Sequence, residues 1–164
     1  MENLWSPWRI KYILDNKPQG CVFCEAFAAD PAQDREYLIV HRGAHCGVLM
    51  NLYPYNNGHL MVIPYVHTST FEGLAPDALT EAMTLSNACV RALRRAMNPE
   101  GFNIGINLGK AAGAGIDAHV HMHVVPRWSG DTNFMTTLGG IRCIPESLQQ
   151  TYDKITAVWE GIDG

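Results

Sequence analysis

The run His119-Val120-His121-Met122-His123-Val124-Val125-Pro126 constrains the fold more than any other part of the chain. Side chains in a strand alternate between its faces, so this spacing predicts a strand with three imidazoles on one side and Val120, Met122 and Val124 on the other. One face can cover a core. The other gathers three groups that titrate near neutrality and can act as nucleophile, proton carrier or metal ligand. Crowded imidazoles desolvate one another and compete for protons, a cost that a purely structural strand has no reason to bear.

Length and composition bound the rest. With 164 residues, 47% of them hydrophobic, the chain suits one well-packed domain, expected to span residues 1–164. The start Leu4-Trp5-Ser6-Pro7-Trp8 reads as an irregular arm within residues 1–20, packing on the domain or on a partner subunit through Trp5 and Trp8. A net charge of −4 without a basic run argues against nucleic acid as a partner, while a small anionic substrate held by local groups stays open. No apolar stretch approaches the roughly 20 residues of a membrane span, and the polar start lacks a signal-peptide pattern. A cytoplasmic setting is expected. Five cysteines, with only Cys21 and Cys24 close together, suit a reducing compartment, where Cys46, Cys89 and Cys143 would serve as small buried hydrophobes.

Local pattern supplies the elements. Ala29 to Arg35 reads as a loop, Tyr37–Val40 and Cys46–Leu52 as strands, Pro54-Tyr55-Asn56-Asn57-Gly58 as a turn, and His59–Pro64 as the returning strand of an antiparallel hairpin. From Pro76 to Met97, Leu79, Met83, Val90, Leu93 and Met97 recur at helical spacing, with Arg91, Arg94 and Arg95 toward the C-terminal end, where cations favour the helix dipole. Phe102–Asn107 reads as a strand and Gly109–Gly115 as a Gly/Ala-rich loop. Pro145–Trp159 reads as a second helix with Leu148, Tyr152, Ile155 and Trp159 on one face. The expected class is α+β, with an antiparallel sheet of about five strands, one long helix and one C-terminal helix.

These motifs resemble the histidine triad (HIT) superfamily. The resemblance covers nearly the whole chain: the Cys21-x-x-Cys24 pair, Asn51-Leu-Tyr-Pro followed by Gly58-His59-Leu-Met-Val-Ile-Pro, Phe102-Asn-Ile-Gly-Ile-Asn107 and the triad itself. Val125-Pro126-Arg127-Trp128 and Gly130-Asp131-Thr132-Asn133-Phe134 are similar to the bacterial dinucleoside polyphosphate phosphorylases of that superfamily. The resemblance implies an enzyme, a hydrolase or phosphorylase that transfers a nucleotidyl group through a covalent intermediate on the middle histidine, His121. It further implies that His123 and Asn107 contact the phosphoryl oxygens, that His59 supports them, and that Asn51 binds the ribose hydroxyls. Val22, Phe23 and Leu49 fall in segments that line the base pocket, although core packing explains each equally well. A carbonyl near His119 would hold the second nitrogen of His121 as a donor, so that the attacking nitrogen keeps its lone pair. A homodimer joining two sheets is also implied.

One departure stands out. Where relatives carry a Gln or Ser just before the triad, this chain reads Gly113-Ala114-Gly115-Ile116-Asp117, so backbone N–H groups around Gly113 and Gly115 are the expected phosphate cradle. Lys110 and Asp117 are charged, but the resemblance licenses neither. The loop is no Walker motif.

Two cysteines at this spacing suit a structural zinc, which needs two more ligands. The resemblance implies that His67 and His119 complete a Cys2His2 site; two free thiols beside a surface histidine are the plain alternative. Three other functions stay open: nucleoside phosphoramidate or aminoacyl-adenylate hydrolysis, a non-catalytic zinc-stapled nucleotide-binding module, and a hydrolase whose histidines hold a catalytic metal.

Overall fold

The structure is a computed structural model that describes residues 20–132 and 144–162. The arm with Trp5 and Trp8, together with Asn133, Phe134 and Cys143, lies outside the described residues. In chain order the elements are α1 (Val22–Ala28), a 3-10 turn (Pro31–Gln33), α2 (Asp34–Tyr37), β1 (Ile39–Arg42), β2 (Cys46–Met50), β3 (Leu60–Pro64), α3 (Pro76–Met97), β4 (Gly101–Ile106), a 3-10 turn (Lys110–Ala112), β5 (Met122–Arg127) and α4 (Leu148–Trp159). The five strands form one sheet in the order β1-β2-β3-β5-β4, antiparallel at every pairing. The expected α+β architecture is the observed one.

Alternation along the strands gives the sheet two unlike faces. Val48, Met50, Leu60, Val62, Met122 and Val124 point to α3 and α4 and form the larger core with Leu85, Cys89, Leu93, Tyr152 and Ile155. The opposite face carries Leu49, Met61 and Ile63 against Phe23 and Ala26 of α1. Met61 lies across from both Leu49 and His123, which places the histidine face on the α1 side. Chemistry and main core are thus separated by the thickness of one sheet.

Several expectations need correcting. Part of the Ala29–Arg35 loop is helical because Asp30 caps the Ala32 N–H with Pro31 in the first turn; β1 therefore starts at Ile39, after Leu38 in the left-handed region at φ 59°. β2 stops at Met50 rather than Leu52, since the Asn51 side chain accepts the Tyr53 N–H and turns the chain. The last helix starts at Leu148 rather than Pro145, because Ser147 and Gln150 cap each other reciprocally. On α3 the buried stripe runs through Ala78, Ala82, Leu85, Cys89 and Ala92, and Met83 is exposed. Small residues let that helix sit close to the sheet. Finally, the β5 ladder begins at Met122, so His119 and His121 precede it, and the Val120 N–H donates instead to Thr68 O at 2.7 Å.

Candidate active site

Although only His123 belongs to the ladder, the three imidazoles still form a row. The His121 and His123 rings are 4.8 Å apart, and Phe23 packs against His119 at 5.5 Å and His121 at 5.0 Å. All three are buried. Burial is the main reason that each is less readily protonated than a free histidine, and His123 is pushed down to about 4 by burial and, secondarily, by His121. The row is therefore uncharged near neutral pH.

Hydrogen bonds assign each ring a distinct state. His121 Nδ1 lies 2.8 Å from His119 O; a carbonyl only accepts, so Nδ1 carries the proton and Nε2 keeps its lone pair. The Tyr55 N–H donates to His59 Nδ1 at 3.0 Å, which leaves the His59 proton on Nε2, 2.9 Å from His123 Nδ1. His123 in turn carries its proton on Nε2, 3.4 Å from Asn107 Nδ2, so two N–H donors stand side by side for one acceptor. One backbone amide thus orients two buried rings, so that His123 presents an N–H outward.

Asn51 supports this chain, with Nδ2 3.3 Å from His59 Nδ1 and Oδ1 holding the turn at Tyr53. The Tyr55 ring lies 4.6 Å from His59 and 5.3 Å from His123. In the sequence Tyr55 is only part of a turn, and no local signal marks a turn residue as a neighbour of two histidines. Asn56 ties the same turn to β5 through Pro126 O and Asp131. Of the two candidate cradle glycines, Gly113 has φ +87°, but its N–H is spent on Lys110 O at 3.0 Å. Cβ atoms built at Gly105, Gly109, Gly113 or Gly115 meet nothing within 4 Å, and Gly105 pairs with His123. There is open space beside the third histidine.

A second cluster lies at the other end of the row. One helical turn separates Cys21, the N-cap of α1, from Cys24, so both thiols reach one side. Cys21 Sγ lies 3.2 Å from His119 Nδ1, Cys24 Sγ 3.6 Å from the same atom and 3.4 Å from His67 Nδ1. All four ligating atoms fall within 4.8 Å of one another. A tetrahedral zinc with bonds of about 2.0–2.3 Å needs sulfur–nitrogen edges of about 3.5 Å, so the donor set and its spacing fit that ion. His119 Nε2 donates to Pro64 O at 2.8 Å, turning Nδ1 toward the sulfurs as an outer partner of a ligating histidine does. Neither His121 nor His123 belongs to a metal-ligand group among the described residues. A cavity of about 390 Å³ behind this cluster is lined by Phe23, Phe27, Tyr65 and Arg42 among others, with Arg42 committed to Asp34 and the carbonyls of Phe27 and Ala29.

A family model for the HIT domain matches residues 33–130. The chain is 38% identical over 165 residues to the AP-4-A phosphorylase of Mycobacterium tuberculosis, covering 97% of this chain and 85% of that protein. It is 30% identical over 112 residues to an uncharacterised HIT-like protein of Methanocaldococcus jannaschii, covering 68% of this chain and 81% of that one. Among solved structures, a Zn-bound histidine triad family protein from Mycobacterium smegmatis superimposes with a TM-score of 0.70 at 27% identity, covering 88% of this chain and 96% of that one.

Proposed function

Because this chain belongs to the HIT domain family, we propose that it cleaves dinucleoside polyphosphates at an α-phosphate through a nucleotidyl-His121 intermediate. The geometry that carries this is the 2.8 Å bond from His121 Nδ1–H to His119 O, which leaves Nε2 free to attack. The similarity to an AP-4-A phosphorylase over 97% of the chain supports the substrate class.

In the first step the Nε2 lone pair forms a bond to the α-phosphorus, and the bond from phosphorus to the bridging oxygen breaks. The leaving nucleotide departs with that electron pair. Positive charge that develops on the imidazole is stabilised by the His119 carbonyl, which stays bound to Nδ1–H. The His123 Nε2–H and the Asn107 amide meet the phosphoryl oxygens, and His59 keeps the His123 proton on its outward side. Asn51 serves the ribose in addition to holding His59, and Gly115 leaves room for phosphate, whereas Gly113 contributes its φ rather than its N–H. In the second step an oxygen of water or of phosphate attacks the same phosphorus and releases His121.

Cys21, Cys24, His67 and His119 would hold a structural zinc, which supplies a rigid link between α1 and the segment leading to His121. The Zn-bound neighbour supports that assignment. We further read residues 1–164 as one domain and the chain as a homodimer, the latter supported by β4, which among the described residues pairs only with β5 and exposes Asn103, Ile104 and Gly105. The free thiols of Cys21, Cys24, Cys46 and Cys89 support a reducing, cytoplasmic setting, and no helix among the described residues is long and apolar enough to cross a membrane.

The test is incubation with diadenosine tetraphosphate, with and without phosphate, followed by mass spectrometry for adenylated His121. His121→Ala is expected to lose turnover by about 10³-fold or more while keeping its fold. Full turnover in that variant would remove the nucleophile assignment. Turnover confined to nucleoside phosphoramidates would favour the alternative hydrolase, and binding without turnover of either class the non-catalytic module.

A further inference from the structure

A dinucleoside polyphosphate brings several phosphates to the site, and the row of buried histidines faces only the reacting one, so another group is needed for the phosphates beyond it. Between β4 and β5, residues 107–121 contain a single Lys or Arg, Lys110. It lies three residues after Asn107, whose amide touches His123, and opens the 3-10 turn of the glycine loop. The N–H groups of Ala112, Gly113 and Ala114 are already bound to Gly109 O and Lys110 O, so the loop backbone offers little of the cradle expected from its glycines. At the far end of β5, Arg127 is engaged by Asp131 and Asn103.

Lys110 is paired with Asp117 at 3.6 Å, and their side chains are 84% and 42% exposed. An exposed pair of this kind is weak because solvent screens it, so a polyphosphate with more charge and more acceptors can displace the carboxylate. We propose that Lys110 exchanges Asp117 for the phosphates beyond the α-phosphate and so sets the preference of the enzyme for polyphosphate length. The Lys110–Asp117 pair then acts as a clasp across a loop whose Gly109 and Gly113 leave open space, and it screens the carboxylate that would otherwise repel the substrate. This rests on the dinucleoside polyphosphate activity proposed above. It also gives the loop a charge that partly replaces the missing Gln or Ser side chain.

Steady-state kinetics of the wild type, Lys110→Gln, Lys110→Arg and Asp117→Asn with diadenosine tri-, tetra- and pentaphosphate test it. Lys110→Gln is expected to raise KM by about tenfold for the two longer substrates and by less for the triphosphate, with kcat nearly unchanged. Lys110→Arg should restore most of the loss, and Asp117→Asn should lower KM by about twofold by removing the competing carboxylate. Inorganic tripolyphosphate should inhibit the wild type more strongly than Lys110→Gln. A Lys110→Gln effect that is absent, equal for all three lengths, or confined to kcat overturns the assignment while leaving the activity intact. A wild type that turns over none of the three overturns the activity, and the role of Lys110 with it.

Discussion

The proton of His123 illustrates how much a single buried ring carries. Its ordinary value near 6.5 is pushed down to about 4 in the folded protein, chiefly by burial. Above pH 6.5 the ring is neutral whether the chain is folded or not, and the contribution to stability is complete. As pH falls from 6.5 toward 4 the unfolded chain takes up a proton that the native site refuses, so stability is lost across that window, by about 3 kcal/mol for this group. Urea denaturation at pH 7.5 and pH 4.5 should show the drop, and His123→Gln should lessen it by close to one proton's worth of slope. An unchanged slope in that variant would mean that His123 titrates normally. The alternation itself was readable at this scale, since period two needs no tertiary information. The orientation of the rings was not: it depends on the Tyr55 N–H and the His119 carbonyl, backbone groups that no residue name announces.

At the scale of elements, α1 is the piece whose position matters most, because Cys21, Phe23 and Cys24 all ride on it. Phe27 of the same helix lies over Gly47 in β2, and a Cβ built there would meet the Phe27 ring at 2.1 Å. Gly47→Ala must displace the ring and the helix with it. We expect a destabilisation of about 1–3 kcal/mol, together with weaker zinc retention, read by thermal denaturation with and without added metal. Wild-type stability and metal affinity in that variant would show that the helix is placed by other contacts. The bounds of α3 were legible because the Pro76 at its start and the arginines Arg94 and Arg95 in its last turn are local signals. The short helical stretch from Pro31 to Tyr37 was not, since its 3-10 turn depends on the Asp30 cap in a stretch that otherwise looks like loop, and α2 on Asp34 pairing with Arg42 eight residues away.

For the whole molecule, the sheet is the organising surface: α3 and α4 cover one face, α1 and the row of imidazoles the other. The structural role proposed for zinc predicts about one zinc per chain in the protein as purified, and its loss in Cys24→Ser. Mild chelation should lower the thermal midpoint well before it lowers the initial rate, because His121 and His123 stand outside the ligand cluster. Immediate and reversible loss of turnover on chelation, at unchanged thermal stability, would instead indicate a catalytic metal. Sequence alone determined that three imidazoles would share a face, that an antiparallel hairpin and a long helix would flank them, and that a Cys pair stood ready for more ligands, because strand and helix periods and turn residues act over a few positions. Only the tertiary structure divided the labour among the histidines. His119 meets Cys21 across 98 positions of chain and His59 meets His123 across 64; contacts of that range are set by sheet order and register, which local pattern does not encode.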